Sequence, residues 1–303
     1  MIRLSILIIF LAISFFVHGQ QWLQQNQYFH NEVVINPAVA GAKDCGSFGI
    51  SVRKQWLGLD QSPLSQTAFF QIELGKKSGI GVVAFNDISG AAKYRGAEFQ
   101  YSHHVFKTSS SILALGLSAK IQHYRFDETD FMPEIYEDPA LTYTEMKNSL
   151  VDAAFGAFYR TGAFDIGLGA HNLLSTLAGL DPFDILKRHY FIHSSYEYAT
   201  KRWILTPSIL LKSTENLAFS FDVSVKLLLR KHFLTGLNYR RGDGVDIMLG
   251  FEKSKWLMAY SYGLVLSNLR MHNIGSHEIF IGYRFCKESK FNGKRRLVPC
   301  AKY

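Results

Sequence analysis

Apolar and polar residues alternate along most of the chain. Over residues 217–227 every odd position is apolar, whereas the even positions are small, polar or charged. The same period of two recurs over residues 113–122, 164–170 and 245–252. Because successive side chains of a β-strand point to opposite faces, this period predicts strands with one apolar and one polar face.

Fourteen segments of this kind predict fourteen strands. Their ranges are 46–55, 65–75, 79–89, 91–106, 111–126, 148–160, 163–173, 187–199, 202–212, 214–229, 232–240, 244–253, 255–266 and 277–285. An even number of antiparallel strands is typical of bacterial outer-membrane barrels. A soluble sandwich of two sheets would also alternate, but its strands would be shorter, and it would not sort short and long connections by side.

The connections between the predicted strands alternate in length. Those after the even-numbered strands are tight, whereas the other side includes the long stretches 127–147, 174–186 and 267–276. Outer-membrane barrels place short turns in the periplasm and long loops outside. The pattern therefore predicts an all-β fold, a transmembrane antiparallel β-barrel over residues 46–285, with both termini periplasmic and the long loops extracellular.

The first residues are typical of an export signal. Arg3 precedes an apolar stretch from Leu4 to Val17, and small residues precede Gln20. A single-pass anchor is less favoured, because a spanning helix needs about 20 apolar residues. The predicted parts of the chain are a signal peptide over 1–19, a periplasmic N-terminal segment over 20–45 leading into the barrel, the barrel over 46–285 and a basic periplasmic tail over 286–303.

Composition agrees with this fold and singles out the C-terminal tail. The chain has 303 residues, 48% of them hydrophobic and 14% aromatic, which is too apolar for a disordered protein. The formal net charge is +8, and residues 286–303 contribute six basic side chains against Glu288. On an exported chain such a tail is expected to be simply solvated or to contact an acidic partner or lipid headgroups. Nucleic acid is a less favoured partner. Cys286 and Cys300 could pair there, although three cysteines in all do not indicate a disulfide framework.

Short motifs spread over the chain carry a family resemblance. They are Val34–Gly41 (VINPAVAG), Arg53–Gly58 (RKQWLG), Ser65–Thr67, Gly79–Val82, Phe85–Asp87, Arg188–Phe191, Pro207–Lys212, Tyr239–Arg240 and Gly275–Ile279. In this order they resemble the PorP/SprF family of outer-membrane proteins associated with the type IX secretion system. The resemblance implies a barrel that works with that machinery, and the basic tail with its cysteines departs from the family pattern.

The family-motif residues are expected to be structural or to line the barrel rim. They are Asn36, Pro37, Ala38, Gly41, Arg53, Gln55, Trp56, Ser276, His277 and Glu278. Asn36-Pro37 is a turn former, suited to the entry into the first strand or to a plug. The motif at 53–56 lies where the first strand meets its loop, and the motif at 275–278 opens the last strand, where a capping role is favoured.

The long loop over residues 127–147 is strongly acidic. Its carboxylates are Asp127, Glu128, Asp130, Glu134, Glu137, Asp138 and Glu145. They lack the spaced Asp and Gly of a calcium loop, so a solvated acidic loop is favoured over a calcium site. A long, external loop is a candidate partner-binding surface.

No residue pattern indicates catalysis, a cofactor or a metal. The chain has no G-x-S-x-G motif, and His123 and His193 have no neighbour at metal-ligand spacing. We therefore expect a non-enzymatic protein in the outer membrane of a Gram-negative bacterium that helps to secrete or anchor a surface protein, such as a gliding-type adhesin. Its expected partners are that cargo, periplasmic type IX components and outer-membrane lipid, with no nucleic acid.

The alternative is a diffusion channel or transporter for a small solute. Conductance separates the two, because a lumen filled by side chains and by the N-terminal segment should pass little current. The charged residues expected in the lumen are Arg53, Lys120, Asp222, Lys226, Glu252 and Arg284.

Overall fold

The strands form one antiparallel sheet that closes on itself between β10 and β11. The computed structural model describes residues 26–43, 45–127, 145–174, 187–215, 219–267, 271 and 273–286. The strands are β1 (Cys45–Lys54), β2 (Leu64–Leu74), β3 (Ser78–Ser89), β4 (Ala92–Lys107), β5 (Ser111–Asp127), β6 (Glu145–Thr161), β7 (Phe164–His171), β8 (His189–Tyr196), β9 (Tyr198–Ala199), β10 (Trp203–Thr214), β11 (Phe219–Leu229), β12 (Phe233–Arg240), β13 (Gly244–Lys253), β14 (Trp256–Val265) and β15 (Ser276–Cys286).

Strands β8 and β9 are two parts of one strand of the barrel wall. Both pair with β10, and the ladder is interrupted around Glu197. The barrel therefore has fourteen wall strands, and the predicted antiparallel β-barrel is confirmed. Closure gives each strand a neighbour on both sides, as the absence of water in hydrocarbon requires.

The two faces of the wall follow the predicted alternation. Leu117 and Ile121 on β5 are exposed on the outer face, whereas Lys120 and Gln122 between and beside them are buried in the lumen. On β13, Leu249 is exposed and Met248 is buried. An apolar outer row against a polar or small inner row is the arrangement that a barrel needs in lipid.

The barrel has a turn end and a loop end. The turn end carries the short connections 75–77, 108–110, 162–163, 200–202, 230–232 and 254–255. The loop end carries the other connections, including 55–63, 172–188 and 266–275. The predicted separation of tight and long connections is confirmed, although β5 and β6 extend further into the loop at 127–147 than predicted.

Strands β1 and β15 meet at a seam that joins the first and last strands. Cys45 pairs with Cys286 in the register at the turn end, and Lys54 pairs with His277 at the loop end. Cys45 is disulfide-bonded. The pairing considered for Cys286 and Cys300 lies outside the described side chains.

A plugged lumen as the candidate functional site

Residues 26–43 lie inside the barrel and form what we call the plug. Its only helices are the 3-10 turns Tyr28–His30, Glu32–Val34 and Pro37–Val39. No helix in the described part of the chain is long and apolar enough to cross a membrane. The N-terminal segment is predicted to be periplasmic, with a plug as an alternative role of Asn36-Pro37, and its described residues occupy the lumen.

The plug runs along the whole lumen, from the loop end to the turn end. At the loop end the backbone N–H of Asn26 donates to Glu278 Oε2 (2.7 Å), near the start of β15. At the turn end Arg160 Nη2 donates to Ala42 O (2.9 Å), near the end of β6. The chain then enters β1 from the turn end.

Apolar contacts hold the middle of the plug. Val33, Ala38 and Ala40 have no exposed surface. Val33 and Val34 share a buried cluster with wall residues that include Phe69 and Phe280. Because these side chains are enclosed by the barrel, the plug is part of the protein's core rather than a loosely inserted strap.

Glycines in the wall let the plug backbone come close. A Cβ on Gly116 would overlap the backbone of Ala38, and one on Gly169 would overlap Ile35 O. The members of this glycine floor are Gly79, Gly116, Gly156, Gly167 and Gly169, on β3, β5, β6 and β7, and Gly167 differs in that a Cβ there would meet the side chains of His193 and Asn36. Glycine inside a strand is unfavourable unless another backbone approaches, and the plug supplies that reason here.

Asn36 fixes the sharp bend above the glycine floor. Its Oδ1 accepts from Ala38 N–H (3.0 Å) and so caps the turn that Pro37 begins. Its Nδ2 donates to Ala157 O (3.0 Å) and lies 3.1 Å from His193 Nε2. One side chain therefore joins the turn, the wall strand β6 and the wall strand β8.

Charged side chains hold the loop end of the plug. Glu278 accepts from Asn26 N–H on Oε2 and from Ser51 Oγ on Oε1 (2.9 Å), and Arg53 Nε lies 4.0 Å from Oε2. Arg240 Nη1 donates to Asn26 Oδ1 (3.3 Å). We call Asn26, Ser51, Arg53, Arg240 and Glu278 the loop-end latch.

Further ion pairs neutralise the latch. Asp222 Oδ2 lies 3.1 Å from Arg240 Nη2, and Asp222 Oδ1 lies 2.8 Å from Lys212 Nζ. Asp243 lies 3.8 Å from Arg53 and 3.2 Å from Arg240. Buried charges are tolerated when they are paired in this way, and removal of one partner is strongly destabilising.

The seam brings together two family motifs that are more than 200 residues apart in sequence. Trp56 N–H donates to Ser276 Oγ (3.3 Å), and Leu57 N–H donates to Gly275 O (2.8 Å). Trp56 has a φ of 48°, which is unusual for a bulky residue. These bonds hold the first loop onto the last one.

The remaining family-motif residues separate into inner and outer positions. Gln55 is buried, and its N–H donates to Pro63 O (2.9 Å). Gly41 N–H donates to Gln71 Oε1 (3.3 Å) inside the barrel. His277 faces outward, where its Nδ1 lies 2.7 Å from Tyr260 Oη.

Most charged residues expected in the lumen lie there. Arg53, Lys120, Asp222 and Glu252 are buried. Lys226 Nζ lies 5.4 Å from the ring centroid of the plug residue Phe29. Arg284 differs, because its side chain is 46% exposed at the turn end, where it pairs with Glu252.

Only the ends of the acidic loop are described. Asp127 closes β5 and pairs with Arg125 (2.6 Å), and Glu145 opens β6 and pairs with Arg125 (2.5 Å) and Lys147 (2.6 Å). The candidate residues Glu128, Asp130, Glu134, Glu137 and Asp138 lie outside the described residues. Within the described ranges no group of three His, Cys, Asp or Glu side chains is suited to a metal ion.

The glycine floor was not predicted from the sequence. A signal was present, since Gly79 and Gly81, and likewise Gly167 and Gly169, occupy alternate positions on the inner face of predicted strands. Such spacing indicates a close backbone approach. It does not say which segment approaches, and that depends on the closed barrel.

Comparisons with known proteins agree with this architecture. The family model for "Type IX secretion system membrane protein PorP/SprF" matches residues 17–283. A search of curated protein sequences finds no significant match. Among solved structures, the CymD monoaromatic hydrocarbon channel has a TM-score of 0.51 at 10% identity, over 90% of this chain and 96% of that one. A FadL homologue from Pseudomonas aeruginosa has a TM-score of 0.48 at 10% identity, over 88% and 95% of the two chains.

The structural likeness shows the fold alone at this level of identity. The family match covers most of the chain and agrees with the motif resemblance. Together with the barrel, it assigns the protein to the outer membrane.

Proposed function

Because the chain belongs to the PorP/SprF family of type IX secretion membrane proteins, we propose that it is a plugged platform that helps a secreted protein reach or stay on the cell surface. Its cargo is a surface protein such as an adhesin of the gliding type. The platform has no catalytic role. Residues 1–19 direct its export.

The buried plug is the observation that carries this proposal. Val33, Asn36, Ala38 and Ala40 have no exposed surface. Interactions bind the plug at the loop end, along the glycine floor and at the turn end, so it occupies the volume that a solute would need. A barrel closed in this way serves better as a fixed scaffold than as a pore.

The loop end then provides the surface for cargo. In the proposed orientation the loop end is extracellular and the turn end faces the periplasm, as in other outer-membrane barrels. The loops over 127–147 and 174–186 are the candidate contacts, and carboxylates make the first of them acidic. Periplasmic components of the secretion system would meet the turn end.

The test is deletion of the gene, with surface proteomics and small-solute uptake measured side by side. The platform predicts that one or a few surface proteins are lost or degraded while uptake changes little. A second strain with residues 129–143 removed keeps the described parts of β5 and β6, and it should reproduce part of the loss if the acidic loop makes the contact.

A matched control strain carries Ser109→Gly in a turn-end connection, and it should keep its full set of surface proteins. The channel alternative makes the opposite prediction. If uptake of a particular solute falls while every surface protein stays in place, the platform proposal is wrong. CymD, a monoaromatic hydrocarbon channel of similar fold, suggests the class of solute to include.

A further inference from the structure

The turn end carries exposed positive charge that no ion pair in the described structure neutralises. The residues are Lys76, Lys77, Lys201, Arg202, Arg230, Lys231, Lys253 and Lys255. All of them are exposed, and none forms an ion pair with a described carboxylate. Of the acidic side chains at this end, Glu73 and Glu252 are already paired with Lys107 and Arg284, and Glu197, whose N–H donates to Ala163 O, forms no ion pair with these residues.

These charges occupy one continuous arc of the barrel end. Following the sheet order, they lie in or beside the connections β9–β10, β11–β12, β13–β14 and β2–β3, with the seam between the last two. The two neighbouring connections, Thr108–Ser110 and Gly162–Ala163, are uncharged. The cations beside these connections are engaged, because Lys107 pairs with Glu73 (2.6 Å) and Arg160 donates to Ala42 O inside the barrel. We call the eight residues the basic arc and the two uncharged connections the neutral sector.

The backbone places like charges side by side within the basic arc. Arg230 N–H donates to Arg202 O (2.7 Å), which links two adjacent turns. Arg284 N–H donates to Lys255 O (2.8 Å) at the next turn. A cluster of one sign raises the local potential and attracts a surface of the opposite sign.

One turn in the arc uses basic residues against its own backbone preference. Arg230 and Lys231 have φ values of 49° and 60°. A turn with two successive positive φ angles favours Asn-Gly, because most side chains are strained in this left-handed region. Turn geometry therefore gives no reason for Arg-Lys at this position, whereas an electrostatic role does.

We propose that the basic arc is a docking surface for an acidic protein at the turn end. Anionic lipid headgroups are the other source of negative charge, but lipid surrounds a barrel evenly and would favour cations on every side. A neutral sector next to a continuous arc fits a partner that contacts one side. The compartment of this partner follows from the proposed orientation, but the docking surface itself does not depend on which cargo the loops hold.

Site-specific photo-crosslinking in the native cells tests the surface. A p-benzoylphenylalanine replaces Lys231 in the arc or, as the matched control, Ser109 in the neutral sector. We expect a protein adduct from position 231 and none from position 109. The double variant Lys253→Glu, Lys255→Glu should lower the adduct about tenfold, because charges at an interface rim control association. Ser109→Glu with Ser110→Glu should leave it unchanged.

Identification of the crosslinked protein completes the test. It must present clustered Asp and Glu, and when purified it must bind the full-length barrel in zwitterionic nanodiscs more weakly as salt rises. The proposal is overturned by an adduct with lipid alone, by equal adducts from positions 231 and 109, by an adduct that survives charge reversal, or by no adduct. Loss of surface proteins in the deletion strain is measured separately, so failure of this proposal is distinguishable from failure of the platform.

Discussion

The two sides of the lumen hold the same plug by different means. Strands β3 and β5 to β7 present glycines, so that wall backbone meets plug backbone. Strands β12, β15 and β1 present Arg240, Glu278, Ser51 and Arg53, which bind the start of the plug through side chains. The glycine floor constrains the shape of the plug, because a side chain added to these glycines would collide with it. The loop-end latch fixes the position of the plug relative to the wall, because its bonds form only when the plug, the first strand and the last strand are together.

The largest loss of stability is expected when the loop-end latch is broken. Glu278→Ala removes the acceptor for Asn26 and Ser51 and leaves Arg53 without its nearest carboxylate on β15. Loss of one partner from a buried charge pair costs about 3–5 kcal/mol. Unfolding in guanidinium, with the barrel in lipid vesicles, measures this. The conservative Glu278→Gln should cost less, because its Oε1 can still accept a hydrogen bond. Unchanged stability in Glu278→Ala would mean that the loop-end latch does not stabilise the barrel.

The next largest loss of stability is expected at the glycine floor. Gly116→Ala places a methyl group against the backbone of Ala38, which cannot move without the whole turn. Overpacking of this kind costs about 1–3 kcal/mol. The control is Gly236→Ala on β12, where the nearest atom at 2.7 Å is the flexible end of Met248. The same unfolding assay should show a smaller loss for the control, and equal losses would mean that plug contact is not the cause.

The double variant Glu278→Ala, Gly116→Ala measures whether the two sides act through one plug. The two sites share no contact among the described residues, so independent effects would add. If both act by releasing the plug, the second change costs less after the first, with a coupling energy of about 1 kcal/mol. Additive losses would indicate two unconnected structural effects.

The smallest effect is expected at Tyr28, in the first turn of the plug. Tyr28 Oη donates to Ser208 Oγ (3.1 Å) and accepts from Ser224 Oγ (3.3 Å). Tyr28→Phe removes both bonds and keeps the ring, so it should cost about 1 kcal/mol in the same unfolding assay. A loss as large as that of Glu278→Ala would show that the hydrogen bonds, rather than the packed ring, hold the first turn of the plug.

The sequence is informative where structure is local. Alternation such as Leu117, Lys120 and Ile121 on β5 predicts which face meets lipid, because each strand has its own period of two. The contact of Trp56 with Ser276 and the path of the plug could not be predicted in this way, since both depend on closure of the whole sheet. The bond between Glu278 and Asn26 could not be predicted for the same reason. Asn26 belongs to the other end of the chain.

Conductance across a planar bilayer tests the central claim most directly. The full-length barrel should pass little or no current, whereas a variant that lacks residues 26–41 should give stepwise openings if it still folds as a heat-modifiable barrel. Should that deletion fail to fold, Gly116→Ala combined with Gly156→Ala displaces the plug within the full chain and should also raise conductance. Openings of the full-length protein as large and as frequent as those of the plug-free variant would contradict the claim that the plug closes the lumen.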